Sequence, residues 1–268
     1  MSKVKLSVNA PLENAGILKA AGYNYIEPSN VVMSALRAYE FQVRLEEFQK
    51  TGVKCRVIDN PLPFVPSFSA PDWRITDWIA HLEISAKRAK ALGAEYWCFG
   101  NGVSRALKDD KPRGISMYYE AVKACREIGG EQGIKVIVEP LGPSVTNYLQ
   151  TVEDVVAMID EAGWKDVYTM VDYRWQQEQD RSIDELYRYA DRIVHAHIDD
   201  PGTDYAGQKV RRVQKLNDGF DYTDFMEFIK SDSFSGIMSI EANTFDDYVA
   251  DLKAAMELYH HFGIESAE

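Results

Sequence analysis

The sequence predicts an α/β chain folded as a single (β/α)8 barrel, and three observations carry that expectation. Strand-like apolar runs and helix-like periodic runs alternate from end to end, and the pairs number eight. The chain has 268 residues, close to the ~250 that an eightfold barrel typically needs. No composition break, low-complexity stretch or linker marks a second domain across residues 1–268. An open, doubly wound sheet is the alternative, because periodicity does not report closure, but the count of eight favours the barrel.

Val4 to Val8 reads as the first strand, followed by a helix near Leu12 to Ala21 that Gly22 stops. Tyr23 to Glu27 is the second strand, with a helix from about Ser34 to Lys50 and a stop at Gly52. Val53 to Asp59 is the third, and it leads into a long loop, Asn60 to Asp72, rich in proline and aromatic residues. A loop of that length in a compact domain usually covers or shapes a site. A helix over Trp73 to Leu92 ends at Gly93, before the fourth strand, Glu95 to Phe99. Gly100-Asn101-Gly102 follows it; with no third glycine in place and no helix expected at once, a dinucleotide site is not expected there.

The second half keeps the rhythm. A helix near Gly114 to Gln132 ends at Gly133, before the strand Ile134 to Glu139. Thr151 and the acidic residues after it open the next helix, which stops at Gly163 before Val167 to Asp172. A short helix over Ser182 to Ala190 precedes the strand Ile193 to His197. Asp221 to Lys230 precedes Gly236 to Glu241, and Phe245 to Phe262 is the last helix.

Bulk properties narrow the function. The net charge of −12, from 30 basic and 42 acidic residues, and the lack of a Lys/Arg-rich run oppose nucleic-acid binding. No stretch approaches the ~20 apolar residues of a membrane span, and Met1 to Leu6 passes straight into a strand without the apolar core of a signal peptide. Cys55, Cys98 and Cys125 stand in no metal-ligand spacing and read as small buried thiols of a cytoplasmic protein.

The chemistry lies at the strand ends. Four consecutive strands, the fifth to the eighth, end in Glu139, Asp172, His197 and Glu241. In a parallel barrel these ends converge on one mouth, so residues a hundred positions apart can meet around one ion. Each alone is more simply a loop hydrogen-bonder, a helix cap or a core histidine, but four in succession would leave unpaired polar groups at the mouth. Three carboxylates and one imidazole suit Mn²⁺, Mg²⁺ or Co²⁺, with Zn²⁺ also possible. His195 lies two residues before His197 on the same strand face and is expected to fill the barrel or to orient a ligand.

Longer motifs surround these residues. Glu139-Pro140-Leu141-Gly142-Pro143 with Thr146-Asn147 and Thr151 resembles the "EPLN…TN…T" segment of the xylose-isomerase-like TIM barrels. His195-Ala196-His197-Ile198-Asp199-Asp200-Pro201-Gly202 is similar to that family's "HxHxxDxPG" strand. Asn217 to Tyr222 resembles its "GDGxxDY" run, and Phe99 to Arg105 its "FGSGxxR" turn. The order and spacing of the four motifs, over nearly the whole chain, carry the resemblance. The family includes sugar-phosphate isomerases and epimerases, ketose 3-epimerases and hydroxypyruvate isomerase, and more distantly the endonuclease IV group.

The resemblance implies a metal held by Glu139, Asp172, His197 and Glu241, with Glu139 and Glu241 also moving a proton next to a substrate carbonyl through a metal-stabilised enediolate. It implies a small carbohydrate substrate and allows a homo-oligomer. Glu27, Arg174, Trp175, Asp199 and Arg211 are the expected substrate contacts, and Arg212 is a further cation for an anionic group. Phe64, Phe68, Trp73, Trp97 and Trp175 are candidates for an apolar wall.

The chain departs from the ketose epimerase pattern at three places. Trp175 stands where that pattern has a histidine, Val145 where it has a glutamate, and Thr203, Asp204 and Tyr205 where an arginine follows the Pro-Gly. The expected activity is therefore a metal-dependent sugar isomerase or epimerase. A keto-polyol dehydratase of the inosose dehydratase kind and a degenerate sugar-binding barrel are the alternatives. Phosphodiester hydrolysis of the endonuclease IV kind is disfavoured: it needs a histidine-rich set, and of five histidines His81, His260 and His261 fall on expected helices.

Overall fold

Parallel neighbours cannot be joined by tight turns, so each strand here is followed by a crossover that carries the chain back to the same end. The computed structural model describes residues 2–63, 66–202 and 210–268. Its strands are β1 (Ser2–Val8), β2 (Tyr25–Ile26), β3 (Lys54–Cys55), β4 (Val57–Asp59), β5 (Tyr96–Phe99), β6 (Lys135–Val138), β7 (Val167–Asp172), β8 (Ile193–Ile198), β9 (Ile237–Ile240) and β10 (Ile264–Ser266).

Every pairing between these strands is parallel, running in the order β1, β9, β8, β7, β6, β5, β4. The circle is completed by β2 against β3 and by bridges from Asn9 to Glu27 and from Ser29 to Asp59. This closure separates the barrel from the open-sheet alternative. β3 and β4 are one strand interrupted at Arg56, whose carbonyl accepts from both Glu95 N and Tyr96 N. β10, which no periodic pattern announced, adds to the first residues of β1.

Inward and outward side chains alternate along each strand. Val57, Cys98, Ile137, Met170 and Ile237 pack together inside the barrel, apart from the larger core between strands and helices. Two residues on from Val57, Ile137 and Met170 lie Asp59, Glu139 and Asp172, and four on from Ile237, with the same parity, lies Glu241. The apolar plug therefore carries the acidic layer directly above it, at the C-terminal mouth.

Most expected elements are present, with shifts at their ends. The helix expected over Ser34 to Lys50 is two helices, Asn30–Ala35 and Ala38–Thr51. The latter ends at Gly52 and the helix Ile79–Leu92 at Gly93, both left-handed with φ of 70° and 88°. Thr151 caps Val152–Glu161 by accepting from Asp154 N, and Asp154 closes the box on the Thr151 N–H. Two short helices were not expected. Gly102–Arg105 follows β5 at once, contrary to the loop expected there, and Tyr173–Glu178 follows β7. No helix among the described residues is long and apolar enough to cross a membrane.

Candidate functional site

Register brings the strand-end residues level. Asp172 pairs with His197 across β7 and β8, while Glu139 and Glu241 leave β6 and β9 one residue after their last strand positions. Glu139, Asp172, His197 and Glu241 each offer one ligand atom, and these atoms all lie within 4.8 Å of one another. Ligands about 2.1 Å from a small divalent ion stand ~3 Å apart when adjacent and ~4.2 Å when opposite, so the set is already near that scale.

The imidazole of His197 is oriented from behind. Its Nε2 lies 3.1 Å from Glu27 Oε1, and the neighbouring His195 Nε2 lies 3.0 Å from Glu27 Oε2. His195 Nδ1 in turn sits 2.9 Å from the Ile237 carbonyl. With Nε2 committed to Glu27, Nδ1 of His197 faces Glu241 Oε2 at 3.2 Å and Glu139 Oε1 at 3.5 Å. Those contacts miss hydrogen-bond geometry, so Nδ1 makes no hydrogen bond. Asp172 accepts from Arg174 N through Oδ1 at 2.8 Å, while its buried Oδ2 also makes none. Two enclosed polar atoms aimed at one point, with two glutamates beside them, fit the cation that the donor set suits.

Charge is crowded here. The carboxylates of Glu27, Asp59, Glu139, Asp172, Asp199 and Glu241 share the mouth with Arg174, Arg211 and the two histidines. Burial opposes charge on His197, yet Glu27 and Glu241 outweigh it and raise its pKa well above the usual value. Glu27 is held well below the carboxylate range: His195 and His197 overcome the penalty of burial. Burial and the neighbouring Glu27 push Asp59 well up.

Arg211 reaches into this layer. It pairs with Glu241, lies 3.6 Å from Asp172 Oδ2 and 3.8 Å from Asp199 Oδ2, and stacks 5.3 Å from the Trp175 ring. Thr203 to Tyr205, where the sequence lacks an arginine, lie outside the described residues. Arg211 brings a guanidinium to the site from further along the same segment.

A cavity of about 360 Å³ opens over the cluster, walled by Asp59, Asn60, Glu139, Val145, Arg174, Trp175, Arg211 and Glu241 among others. Two expected substrate contacts are not on it. Glu27 is fully enclosed, its carboxylate occupied by the two histidines. Asp199 is also enclosed and holds Arg174 Nε at 2.8 Å. Arg174, Trp175 and Arg211 do line the cavity, and the buried Nη1 of Arg174 makes no hydrogen bond.

Of the aromatic wall, Trp175 alone of the described candidates lines the cavity. Phe68 packs on Trp73 and Tyr118 in the outer core, and Trp97 is buried there too; Phe64 lies outside the described residues. Asp59 was missed, although it ends a strand in an acid as the other ligand candidates do. Gly100 was missed as well: a Cβ there would meet Glu139 Oε2 and push that carboxylate out of its present position.

A model of the xylose isomerase-like TIM barrel matches residues 16–262. The chain belongs to this family. Among solved structures, the 3-keto-D-glucoside 4-epimerase of E. coli is similar over 97% of this chain and 100% of its own, with a TM-score of 0.79 at 15% identity. The D-allulose 3-epimerase of Methylomonas sp., in complex with D-allulose, gives 0.78 at 15% identity over 97% and 98% of the two chains. An L-ribulose 3-epimerase gives 0.73 at 16% identity over 98% and 94%. At such identities these likenesses speak to the shared barrel. No curated protein sequence matches the chain significantly.

Proposed function

We propose that this member of the family is a divalent-metal-dependent isomerase or epimerase of a sugar or small hydroxy-ketone. The observation that carries the reading is the convergence of Glu139, Asp172, His197 and Glu241 within 4.8 Å, with both glutamates on the wall of one cavity. The family and its sugar-epimerase neighbours are consistent with it. Glu139, Asp172, His197 and Glu241 are the proposed ligands, and Mn²⁺, Mg²⁺ or Co²⁺ the ions that an O,O,O,N set favours. When bound, the ion supplies fixed positive charge beside a substrate carbonyl, making the hydrogen on the adjacent carbon acidic.

The chain's own groups supply the rest. One of the two glutamates begins ionised and accepts the proton from carbon on a carboxylate oxygen. The other begins protonated and returns a proton from its O–H to the opposite face or to the neighbouring carbon, so turnover exchanges their protonation states. Arg211 and Arg174 offer donors to substrate oxygens, and Trp175 and Val145 exclude water from one side. The three free, buried cysteines are consistent with a reducing, cytoplasmic compartment.

The test starts with elemental analysis of protein purified without chelator, followed by incubation of metal-loaded protein with ketoses and polyol-ketones in D₂O. Deuterium next to a carbonyl together with product isomers is expected. Glu139→Gln and Glu241→Gln should each reduce exchange by at least about a hundredfold, the range that general acid–base groups contribute. Loss of water with a new enone absorbance would assign the dehydratase reaction instead. Wild-type exchange in both variants would remove the glutamates from the mechanism.

A further inference from the structure

The two arginines at the mouth are held in opposite ways. Arg174 is locked: its Nε donates to both oxygens of Asp199, and its Nη2 donates to the carbonyls of Asp200 and Val210. Its side chain is 2% exposed. Arg211 is anchored by its backbone, whose carbonyl accepts from Asn243 N at 2.9 Å and Thr244 N at 3.0 Å. Its side chain is 20% exposed and lines the cavity over the carboxylates. Among the described residues that side chain makes one hydrogen bond, to Glu241 Oε2.

That bond falls on an atom of the proposed ion site. Arg211 Nη1 contacts Glu241 Oε2 and stands 3.6 Å from Asp172 Oδ2, an oxygen that makes no hydrogen bond. Glu241 Oε2 is also the oxygen that faces His197 Nδ1, at 3.2 Å. A divalent ion bonded to Glu241 Oε2 at about 2.1 Å would lie within roughly 5 Å of Nη1. Like charge would face like charge in an enclosed mouth, with both groups competing for the same oxygens.

We propose that Arg211 is an internal counter-cation that exchanges with the ion. Its guanidinium covers Glu241 and Asp172 until a divalent ion takes those oxygens, and then turns along the face of Trp175 into the cavity. Because the backbone is pinned, the exchange needs only side-chain rotation. The Trp175 ring, 5.3 Å from the guanidinium, keeps the released group at the cavity wall. Only the loaded mouth then presents a free guanidinium to a substrate oxygen, so the ion binds before the substrate. This rests on the proposed ion site and adds an order of binding to it.

Two measurements on chelator-treated protein test the exchange. In calorimetry Arg211→Gln should bind Mn²⁺ at least about tenfold more tightly than the parent chain, because no arginine then competes for the site. Removing a positive charge strengthens cation binding by itself, so the second measurement follows the arginine directly in the parent chain. Phenylglyoxal modifies free guanidinium groups, and peptide mass spectrometry reports each position. Saturating Mn²⁺ should speed labelling of Arg211 at least about threefold, as its paired population falls, while Arg174 stays unlabelled with and without the ion. Labelling of Arg211 at one rate in both conditions, or no gain in Mn²⁺ affinity in Arg211→Gln, would overturn the exchange and leave the ion site standing. Mn²⁺ binding by neither protein would overturn both. Faster labelling and tighter binding, with no deuterium exchange on any sugar, would defeat the epimerase reading and leave the arginine exchange in place.

Discussion

Glu27 shows how a residue just behind the cavity wall can govern the site. Its carboxylate touches no part of the cavity wall, yet both histidines of β8 lean on it, at 3.0 and 3.1 Å. A negative partner on Nε2 makes the other ring nitrogen a better ligand and fixes where it points. Glu27→Gln should therefore fold normally and bind Mn²⁺ about 10–100-fold more weakly, read by calorimetry or equilibrium dialysis. Unchanged affinity would reduce Glu27 to a space-filling buried acid. The sequence shows the strand-end acids and His197 because parity and position are local properties. It does not show Glu27 beneath the histidines, since the partners lie 168 and 170 residues away. Asp59 was legible by the same strand-end rule. The surrounding carboxylates that set its ionisation were not, because they arrive from other strands.

At the scale of elements, what punctuation marks was readable and what is too short for periodicity was not. Glycine stops and the Thr151 cap placed long helices to within a few residues. Four-residue and six-residue helices after β5 and β7 carry too little pattern to register, though both sit at the mouth and present Arg105, Arg174 and Trp175. Arg105 illustrates the consequence. It is fully buried and donates to the carbonyl of Glu139 at 2.8 Å, tying the turn after β5 to the end of β6. The Thr151 cap gives the element-scale prediction. Its hydroxyl satisfies one of the helix's free N–H groups, and Thr151→Ala removes it. Stability should fall by about 1 kcal/mol in urea denaturation with the slope unchanged, while exchange activity is retained. A loss near zero would mean that the Asp154 half of the box, or water, satisfies the helix end alone.

For the whole molecule, the decisive tension is between a large apolar core and an acidic mouth. The outer core between strands and helices and the apolar plug inside the barrel are complete without any ion, so the metal-free chain should keep its barrel. The mouth is a different matter, because six carboxylates crowded in and just beneath it repel each other and Arg174, Arg211 and two histidines answer them only in part. An ion that binds only the folded arrangement stabilises it by mass action, about 2.7 kcal/mol when present at a hundred times its dissociation constant. In a domain of this size that is roughly 5 °C in Tm. Chelator-treated protein should therefore retain its far-ultraviolet circular dichroism, and Mn²⁺ should raise its Tm by about that amount. Asp172→Asn combined with His197→Ala should remove the rise, because each takes away a proposed ligand atom that makes no hydrogen bond within the protein. Were the double variant to gain as much from Mn²⁺ as the parent chain, the stabilising ion would be binding elsewhere on a protein of charge −12, and the convergence at the barrel mouth would have to be explained as a hydrogen-bonded acidic layer alone.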